Sequence, residues 1–218
     1  LLPADHDKAV KVMAIEGLEC FEAIEFHAQA ALFATELGWM TCGWLREQLQ
    51  CNSFGHMTRD EAVRALRASS LLPFCEVWQV DVESLGEGWR PIRPTSAMRG
   101  LAQRLQRYAT QFSDDFLDVE LSWGGVAPFA RRVLEACRQI PIGETISYAE
   151  LARLAGSPAA ARAAGNTMAR NRCPLIVPCH RVVGANGRLG GYSAPQGLAM
   201  KRRLLSAEAR TRSLSSAS

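Results

Sequence analysis

A chain of 218 residues is long enough for one large domain or two small ones, with ample length to bury a core. Its composition is that of an ordinary soluble globular protein, and no stretch is long and apolar enough to span a membrane. Seven irregularly spaced cysteines with no C-x-x-C pair exclude a disulfide framework or a zinc ribbon, and they fit a reducing, intracellular compartment. The net charge of +3 conceals an asymmetry, because residues 1–126 balance to −7 and residues 127–218 to +10. Almost all the C-terminal bases are arginine, which favours hydrogen bonding to phosphates and bases. That half is therefore expected to face a nucleic acid rather than only to keep a surface soluble.

Residues 1–30 are rich in helix formers without a clean apolar stripe, and too acidic for a signal peptide. They read as a leader or linker. Strand-like pieces follow at Ala31–Thr35, Trp39–Leu45 and Gln48–Phe54, and their two-residue alternation predicts a small antiparallel meander. Thr58 and Glu61 have capping-box spacing and open a helix to about Ala68. Phe74–Val82 reads as a strand, the Gly- and Pro-rich Glu83–Thr95 as a loop. Ser96 to about Phe112 reads as a helix with Leu101, Leu105 and Tyr108 on one face. Residues 31–125 thus form an α/β domain with no visible chemistry. Cys20, His27, Cys42 and His56 match no ligand spacing, so no metal is expected there.

Ser122-Trp123-Gly124-Gly125 marks the boundary to a second domain over residues 126–208. Pro128 opens a helix to about Gln139. Ser147 and Glu150 repeat the capping-box spacing and start a helix through Ala155. Gly156 suits its left-handed end, Ser157 the next cap and Pro158 the first position of a second helix to about Arg170. Two helices joined by so tight a turn read as a helix-turn-helix. Ala159, Ala160, Ala161, Ala163, Ala164 and Gly165 let the second helix approach another surface closely, and Arg162 is the one long side chain in its first turns. The same pattern would also serve an alanine-rich helix packed tightly on its neighbour.

The run Ile176-Val177-Pro178-Cys179-His180-Arg181-Val182-Val183 reads as a strand behind a stiff proline joint. A thiol there could be a nucleophile, because only the thiolate attacks and nearby His or Arg can favour it. It could equally be a buried structural cysteine. Neighbours on a strand point to opposite faces, so a water is expected to bridge Cys179 and His180.

Taken in order, Ile146-Ser147-Tyr148, Ala161-Arg162-Ala163-Ala164-Gly165, Asn171, Pro178-Cys179-His180-Arg181-Val182, Gly190-Gly191-Tyr192, Lys201, Leu204-Leu205 and Glu208 resemble the methylated-DNA–protein-cysteine methyltransferases, the O6-alkylguanine-DNA alkyltransferases. The resemblance covers roughly Pro128–Glu208. It implies a two-domain α/β protein, with a ribonuclease-H-like N-terminal domain and a mostly helical C-terminal domain carrying a DNA-binding helix-turn-helix. It further implies Cys179 as alkyl acceptor, His180 as the base acting through water, and Glu208 as the acid that orients it. Asn171 matches the hinge asparagine, and Tyr148 the residue that helps rotate the nucleotide and protonates the guanine. Arg162 matches the finger that enters the base stack, with Ser157, Ala161 and Gly165 beside it on the DNA side. Tyr192, Gly191, Val182 and Pro178 match the guanine pocket. Arg172 departs from the family's usual proline, and Ala194-Pro195-Gln196-Gly197 lengthens the pocket rim relative to some members.

The expected reaction is single-turnover repair of O6-methylguanine, and of O4-methylthymine, by irreversible transfer to Cys179 after base flipping. The expected partner is double-stranded DNA carrying the lesion, bound by a monomer without a cofactor. The Arg/Ser-rich residues 209–218 are expected to be a disordered tail. Three rivals are set against this reading. A lesion-binding relative that does not repair would lack the cysteine; a helix-turn-helix regulator would need an effector surface; and a cysteine hydrolase would not need the arginine-rich half.

Overall fold

The structure is a computed structural model that describes residues 18–23, 28–45, 47–68, 89–91 and 93–215. Its N-terminal part is a five-stranded antiparallel sheet in the order β4-β3-β2-β1-β5. The strands are β1 (Glu19–Ala23), β2 (Ala28–Phe33), β3 (Trp39–Leu45), β4 (Gln48–His56) and β5 (Trp89–Pro91). Helix α1 (Arg59–Ala68) covers one face of it and α2 (Ser96–Gln111) the other. Strand β2 shows why its sequence looks uniformly apolar. Ala28, Ala30 and Leu32 meet Val63 and Leu66 of α1, whereas Ala31 and Phe33 belong to the core with Leu101, Leu105 and Tyr108 of α2.

Both helix starts are capped by side chains. Thr58 accepts from Glu61 N at 3.2 Å, and the Glu61 carboxylate accepts from Met57 N at 2.9 Å. Thr95 caps α2 by accepting from Met98 N.

Strand β4 ends the sheet, and its free edge is occupied by the segment that leads into the C-terminal part and by the loop before Cys179. Leu49 exchanges backbone hydrogen bonds with Glu120 and Ser122 at 3.1 and 2.9 Å. Asn52 N donates to Arg172 O at 2.9 Å, and Asn52 Nδ2 to Pro174 O at 2.8 Å. An open edge would invite another chain, and here it pins the loop that precedes Cys179. One core runs without interruption from this sheet through α2 to Val133, Leu151, Ile176, Cys179 and Leu204.

The C-terminal part consists of α3 (Pro128–Arg138), a parallel pair of β6 (Ile146–Ser147) with β7 (Val182–Val183), α4 (Tyr148–Leu154), α5 (Ala161–Ala169) and α6 (Gly197–Ser215). Ser147 caps α4 by accepting from Glu150 N at 3.1 Å. Helix α4 ends in a Schellman arrangement: Ser157 N donates to Ala152 O, Gly156 N to Arg153 O, and Gly156 has φ of +75°. No described helix is long and apolar enough to cross a membrane.

Several sequence expectations need correction. Within the supposed leader, Glu19–Ala23 and the start of β2 pair into the sheet and Leu18 packs against the core, residues 1–17 and 24–27 lying outside the described residues. The Glu83–Thr95 loop contains β5, which pairs with β1, and Phe74–Val82 lies outside the described residues. Helix α5 begins at Ala161 because Pro158 and Ala159 form a turn closed by Ala160 N to Ser157 O. The supposed tail is helical through Ser215, since α6 is tied to α2 by Thr211 Oγ1 donating to Gln111 O at 3.0 Å. Residues 216–218 lie outside the described residues, as does His27. Among those described, no three His, Cys, Asp or Glu residues gather as a metal site.

Candidate active site

Pro178 is followed not by a strand but by a 3-10 turn, Cys179–Arg181, closed by Arg181 N donating to Pro178 O at 2.9 Å. Pro178 supplies no N–H and a fixed φ, so the chain can tighten into three residues per turn before β7 begins. Cys179, His180 and Arg181 therefore diverge by about a third of a turn each rather than alternating between two faces. All three are buried.

The segment before them is clamped by Asn171. Its side-chain amide donates to Val177 O at 2.8 Å and its carbonyl accepts from Cys173 N at 3.0 Å, while Val177 N donates to Cys173 O. The intervening Leu175 holds φ of +73°, a costly conformation for a leucine, stabilised by this closed loop and complete burial. Arg172, where a proline was expected from the resemblance, donates to Gly124 O at 3.2 Å and so ties the loop to the segment that crosses between the two parts.

On α6, Lys201, Leu204 and Glu208 fall at intervals of three and four residues and face inward together. Lys201 Nζ donates to Val182 O at 2.7 Å. Glu208 is completely buried and is the acceptor for five hydrogen bonds. Oε1 receives Tyr108 OH at 2.5 Å, His180 Nε2 at 3.0 Å and Arg181 Nη2 at 2.7 Å. Oε2 receives Arg181 Nε at 2.9 Å and Gly143 N at 3.3 Å. Arg181 Nη1 also donates to Ile140 O at 2.7 Å.

Burial alone would push the Glu208 carboxyl up, but the hydrogen bonds and charges of His180 and Arg181 carry it well below the usual carboxylate range. An ionised carboxylate can only accept, so the His180 proton sits on Nε2. Burial lowers the imidazole's own proton affinity, against the opposing pull of Glu208, and favours the neutral ring. Nδ1 then carries a free lone pair, and this buried atom has no hydrogen-bond partner among the described residues. The site thus holds an imidazole in one tautomer with its basic nitrogen available.

Burial raises the Cys179 thiol, with the Asn171 amide and the Lys201 charge working the other way. Cys179 is accordingly a neutral thiol that needs a base. Cys137, which the sequence reading did not connect with the site, is near enough to feel a charge on Cys179. It is completely buried and its thiol is pushed well up, so it stays protonated.

Cys179 opens onto a cavity of about 350 Å³ whose lining includes Tyr148, Gly165, Gly191, Tyr192 and Ser193. Two glycines make room for Tyr148. A Cβ on Gly190 would lie 3.0 Å from its hydroxyl, and one on Gly165 would lie 3.7 Å from its ring. The tyrosine hydroxyls are kept protonated by burial, Tyr192 strongly and Tyr148 less so.

Of the residues expected in the site, Cys179, Tyr148, Gly165, Gly191 and Tyr192 meet at this cavity, and Asn171, His180 and Glu208 stand behind it. Pro178 and Val182, expected in the pocket wall, do not line it. The 3-10 turn directs Pro178 O to Arg181 N, and Val182 is buried in the core with its carbonyl turned to Lys201. Ser157, Ala161 and Arg162 lie apart from the cavity, at the turn before α5 and its first residues, with Arg162 exposed. Tyr108 was missed, because on sequence it is one more apolar-face residue of α2. Arg181 was read only as part of a motif. An arginine running directly into Val182-Val183 was the available signal that it is buried and paired.

Residues 128–210 match the model of the 6-O-methylguanine DNA methyltransferase DNA-binding domain. The chain is 44% identical over 114 residues to a methylated-DNA–protein-cysteine methyltransferase of Mycolicibacterium paratuberculosis, covering 52% of this chain and 67% of that one. It is 40% identical over 129 residues to the protein of that name from Methanopyrus kandleri, covering 59% and 94%. Its fold is similar to the crystal structure of Mycobacterium tuberculosis O6-methylguanine methyltransferase, with a TM-score of 0.59, 30% identity, and 83% and 92% of the two chains covered. A structure of the same organism's protein in complex with DNA matches with a TM-score of 0.58 at 30% identity, over 83% of this chain and 92% of that one. These relatives share its two-domain, mixed α/β organisation. The chain belongs to the methylated-DNA–protein-cysteine methyltransferase family.

Proposed function

We propose that this protein is a methylated-DNA–[protein]-cysteine S-methyltransferase that repairs O6-methylguanine in double-stranded DNA by moving the alkyl group to Cys179. The observation that carries the reading is the pairing of a cavity-facing thiol with a buried imidazole whose free Nδ1 is fixed by Glu208. DNA as partner is supported by the matched DNA-binding domain and by the relative whose structure was solved with DNA.

The lesion lies on the base-pairing edge, so the nucleotide has to leave the stack to reach a buried thiol. Helices α4 and α5 act as a helix-turn-helix in this reading, with Arg162 entering the base stack and Ser157, Ala161 and Gly165 on the DNA side. The flip proceeds through the minor groove, which inverts the usual role of such a helix pair. The N-terminal sheet and its two helices serve as the ribonuclease-H-like domain of this family.

In the cavity, the Cys179 proton passes through a water to His180 Nδ1, and Glu208 stabilises the resulting imidazolium at Nε2–H. The thiolate attacks the alkyl carbon, a C–S bond forms and the C–O6 bond breaks. Tyr148 gives its proton to the departing guanine and regains one from solvent. Asn171 holds the loop that carries the nucleophile, and Tyr192 with Gly191 flanks the base. The product thioether resists hydrolysis, and the protonated, enclosed Cys137 is no acceptor for a second transfer. Each molecule therefore acts once, as a monomer inside the cell, and O4-methylthymine is a second substrate.

The test is a titration of a methyl-labelled O6-methylguanine duplex against the protein. The expected plateau is one methyl group per molecule at any excess of DNA. Continued turnover would contradict the mechanism.

A further inference from the structure

One contact at the site comes from the other half of the chain. Tyr108 lies on α2, 100 residues before Glu208, and its hydroxyl donates to Glu208 Oε1 at 2.5 Å. Nothing in the reaction sequence above uses it. Its ring is held on two sides, by Phe112 at 5.4 Å between centroids and by Phe116 at 5.5 Å. Phe112 ends α2 in the left-handed conformation, φ +52°, and its N–H closes on Tyr108 O. Thr211, one turn beyond Glu208, bonds to Gln111 at the end of the same helix. The hydroxyl therefore reaches the carboxylate from a fixed frame, at the oxygen that also receives His180 and Arg181.

We propose that Tyr108 is a positioning residue for methyl transfer, through which the N-terminal domain sets the orientation and basicity of the His180–Glu208 pair. The proposal rests on the alkyltransferase reading of the site. Three donors compete for Glu208 Oε1, and each lessens the negative charge available to the others. Tyr108 stays protonated, since burial first and the Glu208 charge second push its phenol well above its ordinary value. It is thus a donor at every working pH. It keeps Glu208 from drawing the imidazole too strongly towards the protonated state, so Nδ1 remains free when substrate arrives.

Tyr108→Phe removes the hydroxyl and leaves the ring. Glu208 Oε1 then leans more on His180 Nε2–H, and the imidazole's proton affinity rises. The other groups that act on His180 are unchanged: Arg181 beside it, Lys201 from α6, and Glu208 itself. Cys179 and Tyr192 on the cavity side and Cys137 on α3 remain neutral.

The experiment compares the wild-type protein, Tyr108→Phe and the control Phe116→Leu, which loosens the same ring stack without touching Glu208. Single-turnover rates on an O6-methylguanine duplex are measured across pH, and the His180 imidazole is titrated by NMR. For Tyr108→Phe the expected result is a rate lower by roughly ten-fold, an acid limb moved to higher pH, a His180 midpoint moved the same way, and unchanged duplex affinity. Phe116→Leu should lower Tm while leaving the rate, limb and midpoint in place. Wild-type rate, limb and midpoint in Tyr108→Phe would overturn the proposal. A wild-type protein that transfers no methyl group would strike at the function instead, and the His180 midpoint in Tyr108→Phe would still decide the role of Tyr108.

Discussion

The N-terminal sheet with its two helices and the C-terminal helical part handle polar groups differently. In the sheet, the buried polar side chains among the described residues are Thr41, Asn52 and His56, and none of the hydrogen bonds described for them goes to a formal charge. The C-terminal part buries His180, Arg181, Lys201 and Glu208, two of them beside Cys179 in the chain and two on α6. Charges are expensive to bury, and broken pairs are more expensive still. Such a concentration of buried charge is what the proposed chemistry at Cys179 would call for. What crosses between the parts includes a strand edge, a shared core and the hydroxyls of Tyr108 and Thr211.

The contrast is most sharply broken at Glu208. Glu208→Gln would leave Arg181 buried without its anion, and thermal or denaturant unfolding should show a loss of about 3–5 kcal/mol. The equivalent change at the exposed Arg131–Glu135 pair, Glu135→Gln, should cost about 1 kcal/mol or less. Equal losses would mean that burial is not what gives the inner pair its weight.

The same residue makes a pH prediction. The folded Glu208 pKa lies below its unfolded value of about 4.3, so its contribution is fully present above that value. It is lost as pH falls from there toward the depressed folded value. Stability measured between neutrality and acid should fall more steeply in the wild-type protein than in Glu208→Gln. Parallel curves would contradict the assignment.

A smaller effect is expected at the surface proposed to face DNA. Arg162→Ala should slow repair of a duplex lesion by several-fold or more, with little change in reaction with free O6-benzylguanine, because stacking has to be replaced only in the duplex. Equal losses on both substrates would remove the finger role. Between the parts, Asn52→Ala deletes the bond to Pro174 O, and a decrease of about 1 kcal/mol in unfolding free energy is expected. The rate of transfer per folded molecule should be unaffected.

Much of the C-terminal part could be read from the chain because its signals are local. The Ser147 cap, the Gly156 turn, the Pro128 start and the proline before Cys179 each act within a few residues. The resemblance then connected these pieces in order. What escaped was non-local or depended on tight backbone geometry. The Cys179–Arg181 turn looked like a strand because valines flank it on both sides, and only the Pro178–Arg181 hydrogen bond reveals the 3-10 form. The helical end of α6 looked like a disordered tail because its anchor, Gln111, lies 100 residues away. Tyr108 carried no sign of its partner for the same reason, and Pro178 and Val182 were assigned to a wall they do not form.

The central claim is that the thiol facing the cavity, rather than any other cysteine, accepts the alkyl group. It is tested most directly by peptide mapping after one turnover on an O6-methylguanine duplex. The account predicts a single methyl thioether at Cys179, absent in Cys179→Ala. A methyl group on Cys137 or Cys173, or transfer that survives Cys179→Ala, would contradict it.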